Sequence, residues 1–432
     1  MKTITFRLAY ALVLAAAVAL AAGCGAVREE RTPDGRVVLE WYNYATPEFL
    51  TLYREELIPA FERSHPHIKI RLNASLGDTG YDSKLLTLIA GGIAPDVIHV
   101  TQANFPLYAA KGLLVDVRTL AKDDVAFDED DYFKPVLDSM RRGDRLYGLP
   151  SDFSTILLFY NKRIFDEAGL PYPDASWTWD TFLQASRKLT VDQDGDRVPD
   201  QFAFVTQNAY NRWPAWVWMN GGELFNRDET VCLMDSPSAI QGFSFFVELA
   251  TKWNVAPAVG QSTGQSPEEL FMAEKIAMCA NSRYAYKSFA KGMSFPWDVA
   301  PMPKGTQRAT TLIWGANCIL TSTKHPKECW EFLKFLSGRE GALGNVRMGN
   351  AIPAYKPVAL TPGMLKTDVS PANDDEFLRA VSHARTAAFP PQFADYTQAL
   401  SELDDAFLGV QTPEGVCRRF ARRVNVILKE AP

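Results

Sequence analysis

Beyond Val27 the 432-residue chain has no apolar run approaching the roughly 18 residues a helix needs to cross a bilayer, so no membrane-spanning body is expected. Nor does it contain Gly-x-x-x-x-Gly-Lys-Ser/Thr or His-Glu-x-x-His, which removes two strong marks of phosphate cradles and zinc peptidases. Its five histidines (His65, His67, His99, His325, His383) show no metal-ligand spacing, and none of its six cysteines forms a Cys-x-x-Cys pair. Excess positive charge is missing too: the formal net charge is −6, which argues against a nucleic-acid surface. There are no internal repeats and no low-complexity tract.

What is present begins at the amino terminus. Lys2 and Arg7 precede an apolar run from Leu8 to Leu20, about 13 residues, followed by the small residues Ala21, Ala22 and Gly23. The pattern is that of a secretory signal peptide over 1–23, and its junction with Cys24 resembles a bacterial lipobox. The resemblance implies lipidation of Cys24, a tether over 24–35, and a periplasmic or other extracytoplasmic location with the membrane touched through the lipid alone. Loss of the two leader cations takes the charge from −6 to −8. The five cysteines that remain (Cys232, Cys279, Cys318, Cys329, Cys417) are an odd number and suggest no pairing.

Length alone suggests two domains. From Val37 onward strand and helix signals alternate: the strand "VVLEWYN", a helix over 47–63, the strand "HIKIRLNAS", a helix over 81–90 stopped by Gly91-Gly92, and the strand "PDVIHV". That order implies an α/β protein with mainly parallel sheets and helices on both faces, whose ligands bind at the carboxyl ends of the strands. Tyr44, Asp78, Gln102 and Asn104 fall on those loops. A long strand is expected in "YGLPSDFSTILLFYN", a helix from Thr178 to Leu189 with Thr178 as N-cap, strands in "QFAFV", "KIAMCAN", "WDVAPMP" and "TTLIWGANCILT", and helices to the end.

The stretches "GGIAPDVIHV", "YNKRIFDEAGL", "SWTWDTFLQASRKLT", "DQDGDRVPDQFAF", "MNGGELF", "EKIAMCAN" and "HPKECWEFLKFLSG" follow one another behind the lipobox. Together they resemble the family 1 extracellular solute-binding proteins, sugar receptors of bacterial ABC importers related to maltose-binding protein. The resemblance runs from Val37 to about Pro353. It implies a two-lobed, hinged periplasmic-binding-protein fold that closes on a mono- or oligosaccharide and presents it to membrane permease subunits, with no catalysis. Carried over, the lobes would be 36–152 plus 298–340, and 153–297 plus 341–432. A monomer is expected, without a required cofactor.

Sugars present hydroxyls that need partners and C–H faces that pack on aromatic rings, so a sugar cleft combines Trp and Tyr with Asp, Asn, Gln and Arg. By position in the family pattern, Asn211, Trp213 and Trp216 would meet ligand while Trp218 packs inward. Tyr284 would be a stacking ring. Arg283, where relatives have another residue type, either brings a cation to the cleft or sits in a salt bridge. Trp314 and Asn317, on a glycine-bearing strand, and Asp152 and Ser154, beside the hinge, complete the candidates. Asp96 orders its turn. The loop with Asp192, Asp194, Asp196 and Asp200 resembles the first half of an EF-hand but has Ala203 where a bidentate Glu belongs, leaving structural calcium and an ordinary Asp-rich turn both open. Two other functions remain: the same fold tuned to a phosphorylated or acidic solute such as a glycerol phosphate, which Arg212, Arg283 and Arg347 would suit, and a secreted carbohydrate-active enzyme with a carboxylate pair.

Overall fold

The computed structural model describes residues 30–76, 80–259, 261, 264–349, 351–363, 371–387 and 389–430. The signal peptide, Cys24 and Asp78 lie outside the described residues. No helix among those described is long and apolar enough to cross a membrane.

The alternating segments near the amino terminus form the strands Val37–Ala45, Ile68–Leu76 and Val97–Thr101, paired in parallel with Val37 opposite Ile68 and Trp41 opposite Val97. Beyond them the sheet stops being parallel. Strand Thr310–Ile319 runs antiparallel to Val97–Thr101, and the 14-residue strand Gly148–Asn161 runs antiparallel to Thr310–Ile319. The far end of Gly148–Asn161 pairs antiparallel with Met278–Ser282 and Trp297–Ala300. The expectation of mainly parallel sheets is therefore corrected to a mixed sheet. Parallel order holds where helices return the chain, and antiparallel order enters where long strands pass directly from one half of the molecule to the other.

Side chains of the 14-residue strand alternate between its two faces, and at its far end the faces serve different cores. Phe153, Leu157 and Phe159 enter one cluster of buried apolar side chains, whereas Ile156, Leu158 and Tyr160 enter a second. The second is built mainly from residues 156–256 and 387–427. Ile352, Ala354, Phe377 and Val381 join the first cluster together with Phe271, Phe289 and Trp297. Helices cover both faces, and the fold is the two-lobed one.

Three local features shape the cleft. The helix expected over 47–63 is α-helical at Pro47–Thr51 and Ile58–Ser64 but a π turn at Leu52–Leu57. Pro59 supplies the cause, since it has no N–H to give to the carbonyl four residues back and its ring crowds that carbonyl. Next, the strand pairing slips between Pro150 and Asp152, so that Ser151 is the extra residue of a bulge. Finally, helix Trp179–Leu189 begins as its sequence predicts: the Thr178 hydroxyl accepts from the Thr181 amide in a reciprocal cap. "QFAFV" makes only isolated bridges, and short strands at Ile352–Pro353 and Ala384–Arg385 interrupt the helical finish.

The tryptophans of "NRWPAWVWMNGG" all go inward. Trp213 and Trp216 are 0% exposed and Trp218 2%. Helix Pro214–Met219 crosses helix Pro237–Thr251 at Gly242, where a Cβ would lie 2.5 Å from the Trp216 carbonyl oxygen. So close a crossing drives Trp216 among Phe182, Phe204, Phe245 and Phe246, at ring distances of 5.6, 6.1, 5.5 and 5.5 Å, and sets Trp213 edge-on to Phe243. The expectation that Trp213 and Trp216 face a ligand is overturned: they anchor the second core, as Trp218 does.

Candidate ligand-binding site

Between the two cores lies a cavity of about 700 Å³, within the roughly 300–1,000 Å³ typical of small-molecule pockets. The carboxyl ends of strands Val37–Ala45 and Val97–Thr101 supply Tyr44, Gln102 and Asn104 to its wall, and Thr310–Ile319 supplies Trp314 and Asn317. Asp152 enters from the bulge and Tyr284 from the turn after Met278–Ser282.

Most of these side chains are held. The Asn104 carboxamide oxygen accepts from the Thr101 amide at 2.9 Å, and its nitrogen donates to Asp82 Oδ1 at 2.8 Å. Gln102 Oε1 accepts from the Trp314 amide at 3.3 Å, while Trp314 Nε1 donates to Thr386 Oγ1 at 3.2 Å. Tyr44 stands edge-on to Tyr81 and His99, at 5.3 and 5.0 Å. Asp152 accepts from the Tyr284 hydroxyl on Oδ1 and from Ser151 Oγ on Oδ2. Burial pushes the Asp152 carboxyl above its ordinary value, only partly offset by those hydroxyls, and pushes His99 down to about 4, so the imidazole is neutral at pH 7. Gly315 is needed between them, since a Cβ there would sit 2.8 Å from His99 Cε1. Asn43 and Asn317, 2% and 3% exposed, each line the cavity with a carboxamide oxygen that has no hydrogen-bond partner. Such acceptors call for a donor from a ligand or water.

Five other candidates are placed elsewhere. Arg283 is 2% exposed, and its guanidinium donates to Asp374 through Nε at 3.0 Å and through one terminal nitrogen at 2.8 Å; the other reaches the carbonyls of Gly349 and Ala351. It is a buried strut, which resolves its two readings in favour of the salt bridge. Ser154 does not line the cavity: its hydroxyl accepts from the Arg283 amide and donates to the Thr155 carbonyl. Asn211 is half-buried outside the cavity wall, where its neighbour Tyr210 stands instead. Arg212 and Arg347 pair with Glu268 and Glu56, away from the cavity.

Asn43, Tyr53, Asp82, His99 and Tyr210 went unpredicted. Asn43 and Asp82 adjoin elements already read as cleft-forming and were within reach of the sequence. Tyr53 was within reach as well, since it shares helical spacing with Phe49 and Leu57, which line the same cavity.

In the loop 192–200, ligand atoms of Asp192, Asp194 and Asp200 lie within 4.8 Å of one another on the surface, and Asp196 is not among them. The same loop is also knit by its backbone: Asp192 accepts from the Gly195 and Arg197 amides at 2.7 and 2.9 Å, and Asp196 from Val198 at 2.7 Å. Gly260-Gln261-Ser262-Thr263-Gly264 spells a nucleophile-elbow motif, but the element before it is helix Pro237–Thr251 rather than the strand that motif requires. Ser262 lies outside the described residues. All five cysteines among the described residues are buried, and none of them forms a disulfide.

Two lobes joined by long strands around a cleft of aromatic faces and hydrogen-bonding edges define a bilobal ligand-binding protein. Residues 49–343 match the family described as bacterial extracellular solute-binding protein, and the chain belongs to that family. Its members are binding proteins of ABC transporters and not enzymes. A putative binding protein of Brucella abortus is 22% identical over 386 residues, covering 88% of this chain and 90% of the relative. The arabinooligosaccharide-binding protein of Bacillus subtilis is 24% identical over 337 residues, covering 74% and 73%. Among solved structures, an ABC substrate-binding protein from Listeria monocytogenes in complex with cycloalternan superposes with a TM-score of 0.78 at 26% identity, over 91% of this chain and 99% of that one. The sugar-binding protein MalE of Xanthomonas citri gives 0.75 at 18% identity, over 91% and 98%.

Proposed function

We propose that the chain is the sugar receptor of an ABC importer: it binds a mono- or oligosaccharide in the interlobe cleft, as a monomer, and hands it to a membrane permease. The observation that carries this reading is the cavity wall, where Tyr44, Tyr53, Tyr210, Tyr284 and Trp314 alternate with Asn43, Gln102, Asp152 and Asn317. Rings accept the C–H faces of a sugar, and the carboxamides and carboxylate accept its hydroxyls. The names of the Bacillus and Listeria relatives, an arabinooligosaccharide binder and a cycloalternan complex, support the same class. Closure on the ligand would favour the state a permease recognises.

An acidic solute is disfavoured. No Lys or Arg is among the described lining residues, and the three arginines suited to a phosphate are each paired with a carboxylate elsewhere. One relative in Rhizobium meliloti is named an sn-glycerol-3-phosphate-binding protein, so that solute belongs in the test. Calorimetry against neutral mono- and oligosaccharides and against sn-glycerol 3-phosphate should show binding by a neutral glycan alone, without release of new reducing ends. Binding of the phosphate alone, or hydrolysis, would sink the proposal. Anchoring through Cys24 completes it, and Cys24→Ala should release the protein from membranes.

A further inference from the structure

The cleft holds carboxylates with no cation to answer them. Asp82 and Asp152 both line it, and its described wall contains no Lys or Arg. The partners of Asp152 are hydroxyls, those of Tyr284 and Ser151. Those of Asp82 are the Asn104 carboxamide and the Tyr108 hydroxyl, both on Oδ1. All four are neutral donors. His99, the remaining basic group of the wall, is kept uncharged at neutral pH by its burial. Both carboxyls therefore face a partly desolvated space whose described wall offers them no basic partner, and there an opposite charge is most strongly favoured. Around Asp152 the wall is aromatic: Tyr44, Tyr53, Tyr284 and Trp314 line the same cavity. A carboxylate beside several aromatic rings is the chemistry that receives an ammonium group, through a charge-assisted hydrogen bond and cation–π attraction.

We propose that this cleft takes an amine-bearing saccharide, whose protonated amino group is set against the Asp152 carboxylate. The proposal rests on the sugar reading above and narrows it. A neutral sugar would leave the buried carboxylate with hydroxyl partners alone, whereas an amino sugar brings the missing counter-charge and three donors.

The full chain is titrated by calorimetry at pH 7 with three disaccharides on one β-1,4-linked scaffold: the glucosamine dimer, the N-acetylglucosamine dimer and cellobiose. The corresponding monosaccharides are titrated alongside, and a wider panel of neutral glycans serves as reference. The amine should bind at least about tenfold more tightly than its acetylated and hydroxyl counterparts, the worth of one charge-assisted bond over a neutral one. In Asp152→Asn that ratio should collapse toward one. Equal affinity for amine and acetamide in the wild type, or an unchanged ratio in Asp152→Asn, would overturn the proposal and leave the sugar reading standing. So would binding of neutral glycans with none of the amines. If no saccharide of any kind binds, both readings fall together.

Discussion

Arg283→Met separates a cleft cation from a structural strut. In the folded protein the guanidinium is 2% exposed, gives two hydrogen bonds to Asp374, itself 3% exposed, and contacts two backbone carbonyls on the segment around residue 350. Methionine fills much the same volume but leaves the Asp374 carboxylate buried without its counter-charge and the Gly349 and Ala351 carbonyls with one donor fewer. Removing one partner of a buried pair costs about 3–5 kcal/mol. For a domain of a few hundred residues this corresponds to a fall in unfolding midpoint on the order of 5–15 °C. Scanning calorimetry without ligand measures it, and the companion variant Arg283→Met/Asp374→Leu should recover more than half, because both charges are then gone. At a temperature where the single variant is folded, its affinity for ligand should match wild type. A variant with normal stability and weakened binding would refute the strut and return Arg283 to the cleft.

Trp216→Ala should cost about 3–5 kcal/mol as a large core deletion, with ligand affinity intact, whereas Tyr284→Ala should weaken binding about tenfold; calorimetry of folding and of binding distinguishes the two. Asp152 has its folded-state pKa raised above 3.8 by burial, so the folded chain holds that proton more tightly than the unfolded one, and the group's contribution to stability is lost as pH rises through the folded pKa. Asp152→Asn should accordingly melt above wild type at pH 7, and the gap should close as the pH is lowered below 3.8; a gap independent of pH would refute the assignment. If the loop with Asp192, Asp194 and Asp200 holds calcium, a chelator should lower the wild-type melting temperature and Asp194→Ala should already sit at the lower value. Indifference to both treatments would leave an ordinary turn.

The sequence by itself determined the local elements and the general position of the cleft. Alternation marked Val37–Ala45, Ile68–Leu76 and Val97–Thr101, and Thr178 announced the helix it caps, because strand faces and caps depend on neighbours within a few residues. Tyr44, Gln102 and Asn104 were readable as cleft residues since the carboxyl ends of adjacent parallel strands converge wherever the sheet is built. Tertiary structure decided the rest. Whether Trp213 and Trp216 faced ligand or core depended on a second helix crossing at Gly242, more than twenty residues on. Arg283 found its carboxylate 91 residues away at Asp374, a partner no spacing rule could name. The bulge at Ser151 sets the register that brings Asp152, already a candidate, beside the neutral His99. In each case the direction of a side chain was set by which distant backbone came close, and that proximity exists only once the long strands have brought the two cores together.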